Sequence, residues 1–345
     1  MSLQPGQPAP WFIAPTASNP AFTFDSAAGR YVIVLLMPSD ATVRGDAMRT
    51  LAANQGRLDD RFACAFVVVP PNIPVEGARD LRGLRWVFDQ TGAITAHYGP
   101  DPRWLLLDPT LRVMATAPAA DADAFFRTIA ALPPPAGHAG VPLHAPVLLA
   151  PRIFEPELCR ALVARHEVEG GAFTGVMRDV GDRTVAVMDE LKTRRDIWIA
   201  DPDLKTALRE RLERRLFPLI ELSLGFKATH IERYLVSCYD ADDGGVFRPH
   251  RDNTTQGTAH RRFACSINLN DDFEGGDLRF AEYGPRTYRP HVGGAVVFSC
   301  ALMHEAMPVT RGRRYAFLPF LFDESGAEVR AAYEARVQAS QAAGA

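Results

Sequence analysis

Residues 304–317 read His304-Glu305-Ala306-Met307-Pro308-Val309-Thr310-Arg311-Gly312-Arg313-Arg314-Tyr315-Ala316-Phe317. Pro308 and Gly312 bound a turn, and from Arg314 the chain runs on as an apolar strand to Phe322. Alternate residues of an extended chain share a face, so Arg314 lies on the same side as Ala316, Leu318 and Phe320. Its guanidinium then points into an apolar interior, which is costly unless it is paired. A carboxylate-bearing ligand supplies such a partner, because the planar fork of an arginine binds a carboxylate through two bonds. The plainer alternative for Arg314 is a surface ion pair.

Upstream, Pro249-His250-Arg251-Asp252 puts His250 and Asp252 two residues apart at the end of a strand-like segment. On an extended chain both project to one face and can grip one ion. His304 comes about fifty residues later, just after the apolar run Ala295–Phe298. Two imidazoles and a carboxylate on one side of a metal leave its other positions open. That is the arrangement expected of a non-haem Fe(II) that binds a cosubstrate and O2. A lone His-x-Asp arises by chance, and only the distant His304 followed by Arg314 raises this pair above the background. His230, His260 and His291 have no partner at ligand spacing and read as surface or loop residues. Glu305 reads as a solvated loop carboxylate, with a contact to His304 as the alternative. Lys192, Arg194 and Arg195 read as a solvated loop, the alternative being a substrate entrance. Phe317, Phe320 and Phe322 read as core.

Further outward, the segments Glu232–Tyr239, Arg262–Leu269, Asp277–Phe280, Ala295–Phe298 and Arg314–Phe322 are short strands separated by turns such as Asp243-Gly244-Gly245 and Glu274-Gly275-Gly276. That spacing predicts a β-sandwich or barrel. Two amphipathic stretches, Glu155–His166 and Asp203–Leu222, precede it as supporting helices. The run Leu132-Pro133-Pro134-Pro135-Ala136-Gly137 excludes helix and disfavours a central strand. A linker is therefore placed over 133–146, between a first domain at 1–132 and a second at 147–330, with 331–345 as a C-terminal helix or tail. In the first domain, Tyr31–Met37 and Ala65–Val69 are continuous apolar runs of the kind buried on both faces of a sheet. Helical spacing over Asp46–Leu58, a hairpin from Trp104–Leu107 to Arg112–Ala115, and an acid-capped helix over Asp121–Leu132 complete an α/β pattern.

With these residues in place, the second domain resembles the prolyl-hydroxylase-type Fe(II)/2-oxoglutarate-dependent dioxygenases, an α+β double-stranded β-helix (jelly roll) with supporting helices. The likeness runs from Tyr239 through the Phe273–Phe280 turn to Phe322. It implies that His250, Asp252 and His304 hold Fe(II) and that Arg314 binds the far carboxylate of 2-oxoglutarate. Tyr239 resembles the tyrosine that contacts the cosubstrate, and Asn268 stands where those enzymes often carry a second tyrosine. The implied activity is a hydroxylase that releases succinate and CO2, with ascorbate as an optional further cofactor. Asp252 is intact, so nothing suggests a halogenase. The first domain, from Pro5-Gly6-Gln7-Pro8-Ala9-Pro10-Trp11-Phe12 through Leu105-Leu106-Leu107-Asp108-Pro109, resembles a peroxiredoxin-like thioredoxin fold. That family's peroxidatic cysteine follows a Pro-x-x-x-Thr-x-x pattern; here Pro38 and Thr42 are present and Gly45 stands in the place of the thiol. Cys64 cannot replace it, since apolar neighbours raise a thiol's pKa.

The composition narrows the remaining classes. Net charge is −3, with no basic aromatic-rich stretch, which argues against nucleic acid or an anionic membrane surface as a partner. The five cysteines are odd in number, scattered and never in Cys-x-x-Cys, which argues against disulfides or a cysteine zinc site and for the cytoplasm. No secretory signal and no membrane span is expected. The expected partner is a peptide, protein or small amino-acid-like substrate, with homodimerisation through the first domain. Two other readings stay open at this point. One is an iron- and 2-oxoglutarate-binding sensor or scaffold without turnover; the other is a thiol-dependent peroxidase-like protein.

Overall fold

The computed structural model describes residues 2–343. The chain divides into two compact units. One runs from the N-terminus to Ala145 and includes Ala281–Pro285; the other comprises Pro146–Phe280 and the chain from Arg286 onward. The short segment 281–285, inside the second half of the sequence, has no signal that predicts its grouping with the first unit.

In the first unit a five-stranded mixed sheet has the order Leu84–Phe88, Ala63–Val69, Tyr31–Leu36, Arg103–Leu107, Val113–Pro118. Its first three strands are parallel and its last two antiparallel. The two apolar runs occupy adjacent central positions, where every residue is buried. Leu84–Phe88 escapes a search for apolar runs because Arg85 interrupts it. Arg85 is held there by two bonds to Asp60, at 2.7 and 2.9 Å. The first long helix spans Ala41–Ala53, earlier than apolar spacing suggests. Asp40 sets this start by accepting the backbone N–H groups of Thr42 and Val43, both at 2.9 Å. The closing helix is Ala122–Ala130, and Asp121 precedes it without making the expected side-chain cap. Phe125 and Phe126 instead anchor that helix on Trp104, with ring centroids 5.6 and 5.4 Å away. The stretch expected to be an unstructured linker contains a 3-10 turn at Pro135–Gly137.

The second unit is built on two sheets. The larger has the order His230–Glu232, Phe320–Phe322, Phe263–Asn268, Arg313–Phe317, Leu235–Asp240, Arg195–Trp198, Ala172–Phe173, with Ala295–Ser299 and Leu148–Ala150 branching from Phe263–Asn268. The smaller has the order Lys192–Thr193, Val246–His250, His304–Ala306, Leu278–Arg279, Thr287–Tyr288. Residues of both sheets line one internal cavity, the two-sheet arrangement of a jelly roll. The expected strand Arg314–Phe322 is in fact two, Arg313–Phe317 and Phe320–Phe322. Pro319 lies in the gap, where its missing N–H breaks the ladder.

Alternation divides the larger sheet. Cys265, Ile267, Tyr315 and Phe317 pack in a core with the helices, while Ala264, Ser266 and Arg314 reach the cavity. The helices are Pro156–Glu169 and a long run from Pro202 to Leu224. Leu208, Leu212, Leu216 and Ile220, four residues apart, are fully buried against the sheet. The middle of that run, Leu212–Leu216, is a π turn just before Pro218. A proline there cannot continue the regular bonding, and the wider turn absorbs it.

Phe317 is fully buried and packs on Phe154 and Tyr234, with centroids 5.5 and 6.2 Å away. Phe317→Ala is expected to lower unfolding free energy by about 3–5 kcal/mol, read from the urea midpoint.

Candidate metal centre

His250 ends the strand Val246–His250, and His304 begins the strand His304–Ala306. The two strands are antiparallel, and His250 and His304 are direct cross-strand partners. Residues opposite one another on a ladder bring their side chains together on one face, and the two ring centroids lie 4.3 Å apart. Asp252 follows in the loop, tied down by its N–H donating to the Cys300 carbonyl at 3.0 Å. The Asp252 carboxylate lies 3.6 Å from His250 Nε2 and 3.3 Å from His304 Nε2. All three ligand atoms fall within 4.8 Å of one another. Donors about 2.1 Å from an ion on adjacent octahedral positions stand about 3 Å apart, so the set needs only a small contraction to close on a metal.

The second ring nitrogens fix the tautomer. His250 Nδ1 donates to the Arg248 carbonyl at 2.7 Å, and His304 Nδ1 to the Leu302 carbonyl at 3.0 Å. Each Nε2 is thereby left as a lone-pair donor facing Asp252. Burial, and then the neighbouring His304, push the His250 pKa down to about 4, which keeps its imidazole neutral. Burial opposes the charge on Asp252, but positive charge on the facing His304 and His250 side outweighs it and holds the carboxyl well below its ordinary range, the place a cation would take. Neutral imidazoles and an ionised carboxylate are the forms that bind a divalent metal.

Arg314 is 3% exposed and has only neutral partners. Its guanidinium donates to Ser266 Oγ at 2.8 Å and to Asn268 Oδ1 at 3.1 and 3.3 Å. Burial lowers its pKa from the usual value, and among the described residues no carboxylate pairs with it. Gly276 makes room for it. With φ +70 that residue is in the left-handed region, and a Cβ there would sit 3.0 Å from Arg314 Cδ and 2.9 Å from Val309 Cγ2. A buried cation with neutral partners, sharing a cavity with a metal-ligand set, fits the far carboxylate of 2-oxoglutarate.

Tyr239 lines the same cavity, beside Arg314 and Arg194. Asn268 does not line it. Its amide lies behind Arg314, with Oδ1 accepting from the guanidinium and Nδ2 donating to the Pro290 carbonyl at 3.1 Å. Through these bonds the side chain orients the arginine.

Other expectations are corrected. Arg194 and Lys192 are 4% and 9% exposed, so the two are not part of a solvated loop. Lys192 donates to the Gly175 carbonyl at 2.7 Å. Arg194 lines the cavity, paired with Asp196 at 2.7 Å and donating to the Tyr239 hydroxyl at 3.2 Å. Arg195 is half-exposed and ion-paired to Asp243 at 2.7 Å. Glu305 is a buried strand residue bonded to Arg279 at 2.7 Å, because the chain re-enters the smaller sheet at His304. His260 is 3% exposed and lies 2.8 Å from Glu232, which also accepts two bonds from Arg261. Arg261 in turn donates to the Asp252 carbonyl at 3.2 Å, completing a clamp on the ligand loop. The only hint of this clamp in the sequence is the basic run His260-Arg261-Arg262 abutting an apolar strand.

Comparison with known proteins agrees with this geometry. Residues 234–322 match the profile of the 2OG-Fe(II) oxygenase superfamily. The chain is 35% identical over 88 residues to the multifunctional procollagen lysine hydroxylase and glycosyltransferase LH3 of Rattus norvegicus, a match covering 24% of this chain and 11% of that protein. It is 27% identical over 124 residues to a PKHD-type hydroxylase of Synechococcus sp. (strain JA-2-3B'a(2-13)), covering 32% of this chain and 54% of the relative. A solved prolyl-4-hydroxylase from Pseudomonas putida is 20% identical, with TM-score 0.38, over 52% of this chain and 92% of that one. The chain thus spans between about a tenth and about half of the curated relatives it matches. Residues 234–322, most of the barrel's strands, are thus similar to the 2OG-Fe(II) oxygenases. That similarity implies Fe(II) and 2-oxoglutarate as cofactors, and the His250, Asp252 and His304 set is the candidate site for the ion.

The Arg194–Asp196 pair beneath the site carries a pH signature. Asp196 accepts from Arg194 at 2.8 Å and from Ser237 at 2.7 Å. Burial opposes its ionisation, yet Arg194 outweighs burial and lowers its pKa from 3.8 to about 2. A depressed carboxyl stabilises the fold above its unfolded pKa, and that stability is lost as pH falls through the folded value. Wild type is therefore expected to lose about 2 kcal/mol more than Asp196→Asn between about pH 5 and about pH 2, measured by urea unfolding at each pH.

Proposed function

We propose that the barrel hydroxylates an aliphatic C–H bond of an amino-acid side chain, free or within a peptide or protein, consuming 2-oxoglutarate and O2. One observation carries the reading: a buried arginine with only neutral partners opens into the cavity that holds the His250, Asp252 and His304 donors. Bound together, Fe(II) and 2-oxoglutarate supply the activation of O2 that puts one oxygen atom into substrate as the cosubstrate becomes succinate and CO2. The chain's own part is positional. Arg314, oriented by Ser266 and Asn268, receives the far carboxylate; Tyr239 and Phe247 wall the cavity; the two Nδ1 bonds fix the tautomer and aim each Nε2 at the centre. Much of the remaining wall is apolar, with Ala264, Leu278, Phe298 and Leu318 excluding water from the place where substrate reacts. Hydroxylation as the activity also accords with the relatives, whose names record hydroxylases.

We read the first unit as a peroxiredoxin-like thioredoxin fold that has no peroxidase chemistry. Gly45 lies within the helix Ala41–Ala53, on the position the thiol would take, so that helix carries no nucleophile. Cys64 is fully buried in a central strand, where burial raises its pKa to about 12. An interaction role suits this unit, self-association included, since Trp11 and Ile13 are 51% and 70% exposed. Five buried, unpaired cysteines suit a reducing compartment such as the cytoplasm. Among the described residues, no helix is long and apolar enough to cross a membrane.

Anaerobic addition of Fe(II) and 2-oxoglutarate should raise the visible charge-transfer band of the chelate, and aeration should yield succinate. His304→Ala is expected to lose the band, and Arg314→Gln to need at least about tenfold more 2-oxoglutarate. A folded, metal-free wild-type protein that gives no band refutes the reading. In a separate assay, hydrogen peroxide with a thiol reductant should be consumed no faster than in buffer; consumption abolished by Cys64→Ser would reinstate a peroxidase.

A further inference from the structure

Arg314 is one of three arginines that line the cavity, with Arg194 and Arg233. Arg194 is neutralised by Asp196 at 2.7 Å. Arg233 differs from both. Its Nε donates to the Leu318 carbonyl at 3.1 Å, and its guanidinium lies over the Phe320 ring at 4.1 Å. Its two terminal nitrogens have no hydrogen-bond or ion-pair partner among the described residues. The adjacent Glu232 makes no hydrogen bond or ion pair with it and directs its carboxylate to His260 and Arg261. Arg261 stacks on Phe320 at 4.0 Å, so a second cation shares that ring and adds no negative charge. Burial, then the charges of Arg261 and Arg194, push the Arg233 pKa down to about 10.

The backbone points the same way. Arg233 has φ +57, a left-handed conformation in which glycine is free of strain and an arginine is not. It sits between the strands His230–Glu232 and Leu235–Asp240, and this conformation accompanies the placing of its side chain at the cavity wall. A strained residue at a cavity is an observation from which function can be inferred.

Charge balance names what is missing. On the reading of the site proposed above, the charges of Fe(II) and Arg314 balance Asp252 and the two carboxylates of 2-oxoglutarate. Arg194 balances Asp196, and Arg261 balances Glu232. Of the three arginines that line the cavity, Arg233 alone is left over, a positive charge at a largely apolar wall with its terminal donors free. Arg233 is only half-buried, so an unpaired charge there costs less than a fully buried one, and an incoming anion removes that cost.

We propose that Arg233 recognises a carboxylate on the primary substrate, so that the C–H bond oxidised belongs to an acidic molecule and not to a neutral residue within a peptide. The carboxylate has two sources of the same chemistry, the α-carboxylate of a free amino acid or chain end and the side chain of an acidic residue. This inference rests on the Fe(II)/2-oxoglutarate reading and deepens it.

The test needs no turnover. Wild-type protein is loaded anaerobically with Fe(II) and 2-oxoglutarate, and the charge-transfer band is followed while propionate, or its neutral isostere propionamide, is added. Propionate should shift the band without bleaching it, since 2-oxoglutarate stays on Arg314, and propionamide should not. Arg233→Gly removes the cation and relieves the positive φ, and should weaken the propionate response at least about tenfold while leaving the band itself intact. Arg233→Lys keeps the charge and should retain the preference for propionate over propionamide. L-Proline and acetyl-Gly-Glu-Gly-amide, added in the same way, distinguish an α-carboxylate from a side-chain carboxylate. Equal responses to propionate and propionamide, or a response unchanged in Arg233→Gly, overturn the inference and leave the cofactor reading standing. A missing band in folded wild-type protein removes that reading, and this inference with it.

Discussion

The structure of the second unit turns on one antiparallel pairing, that of Val246–His250 with His304–Ala306 in the smaller sheet. It sets His250 directly opposite His304, so two ligands fifty-four residues apart in sequence need no further device to meet. Both imidazoles are then oriented in the same way, each Nδ1 bonded to the carbonyl two residues earlier in its own chain segment. The ladder fixes where the rings are, and the local carbonyl fixes which nitrogen faces the centre. Asp252 lies beyond the end of its strand, where no ladder can hold it. The Cys300 carbonyl and the Arg261–Glu232–His260 clamp take over that task. A rigid pair and a clamped third member give a preorganised donor set, which binds a metal without first having to order its own ligands.

The larger sheet solves a different problem, the burial of a cation beside that centre. Its strands separate an outer face packed on helices from an inner face that reaches the cavity, and the pleat assigns residues to one or the other. Tyr315 and Phe317 go to the core, while Arg314 between them and the turn goes inward. Ser266 and Asn268, two residues apart on a neighbouring strand, meet it on that inner face. Their oxygens are neutral. They orient the guanidinium without discharging it, and so leave its affinity for a carboxylate intact. A protein carboxylate in place of Asn268 would make a more stable empty cavity and a poorer binder.

The parts of this design carried by period and local chemistry were legible in the sequence. The His-x-Asp spacing, the inward phase of Arg314 and the apolar central strands of the first unit all follow from two-residue alternation or continuous hydrophobicity. What was not legible depends on partners distant in the chain. Arg194 and Lys192 look like surface residues because nothing nearby in sequence announces Asp196 as a buried partner or the Gly175 carbonyl as an acceptor. Glu305 follows a strand end and reads as a loop, although the smaller sheet takes it in and Arg279 neutralises it. Asn268 reads only as standing in the place of a family tyrosine, and nothing near it in sequence announces that its amide holds the arginine. Arg233 carries no sequence signal at all; its left-handed backbone shows only in three dimensions.

Three arginines in one cavity meet three fates, and the differences are informative. Arg194 is paired within the protein, so it shapes the wall and holds Tyr239 without claiming a ligand. Arg314 is oriented by neutral groups on a regular strand, where a position is most exactly defined, and this suits a cosubstrate that must be held in one pose every cycle. Arg233 stands in an irregular link between strands, bonded through one nitrogen and stacked on an aromatic ring. That mounting leaves its terminal donors adjustable, which suits a group whose distance from the metal differs between substrates. The sheet positions thus carry the chemistry, and the irregular link carries the choice of what is oxidised, a division that lets specificity change at Arg233 without disturbing the ladder that aligns His250 and His304.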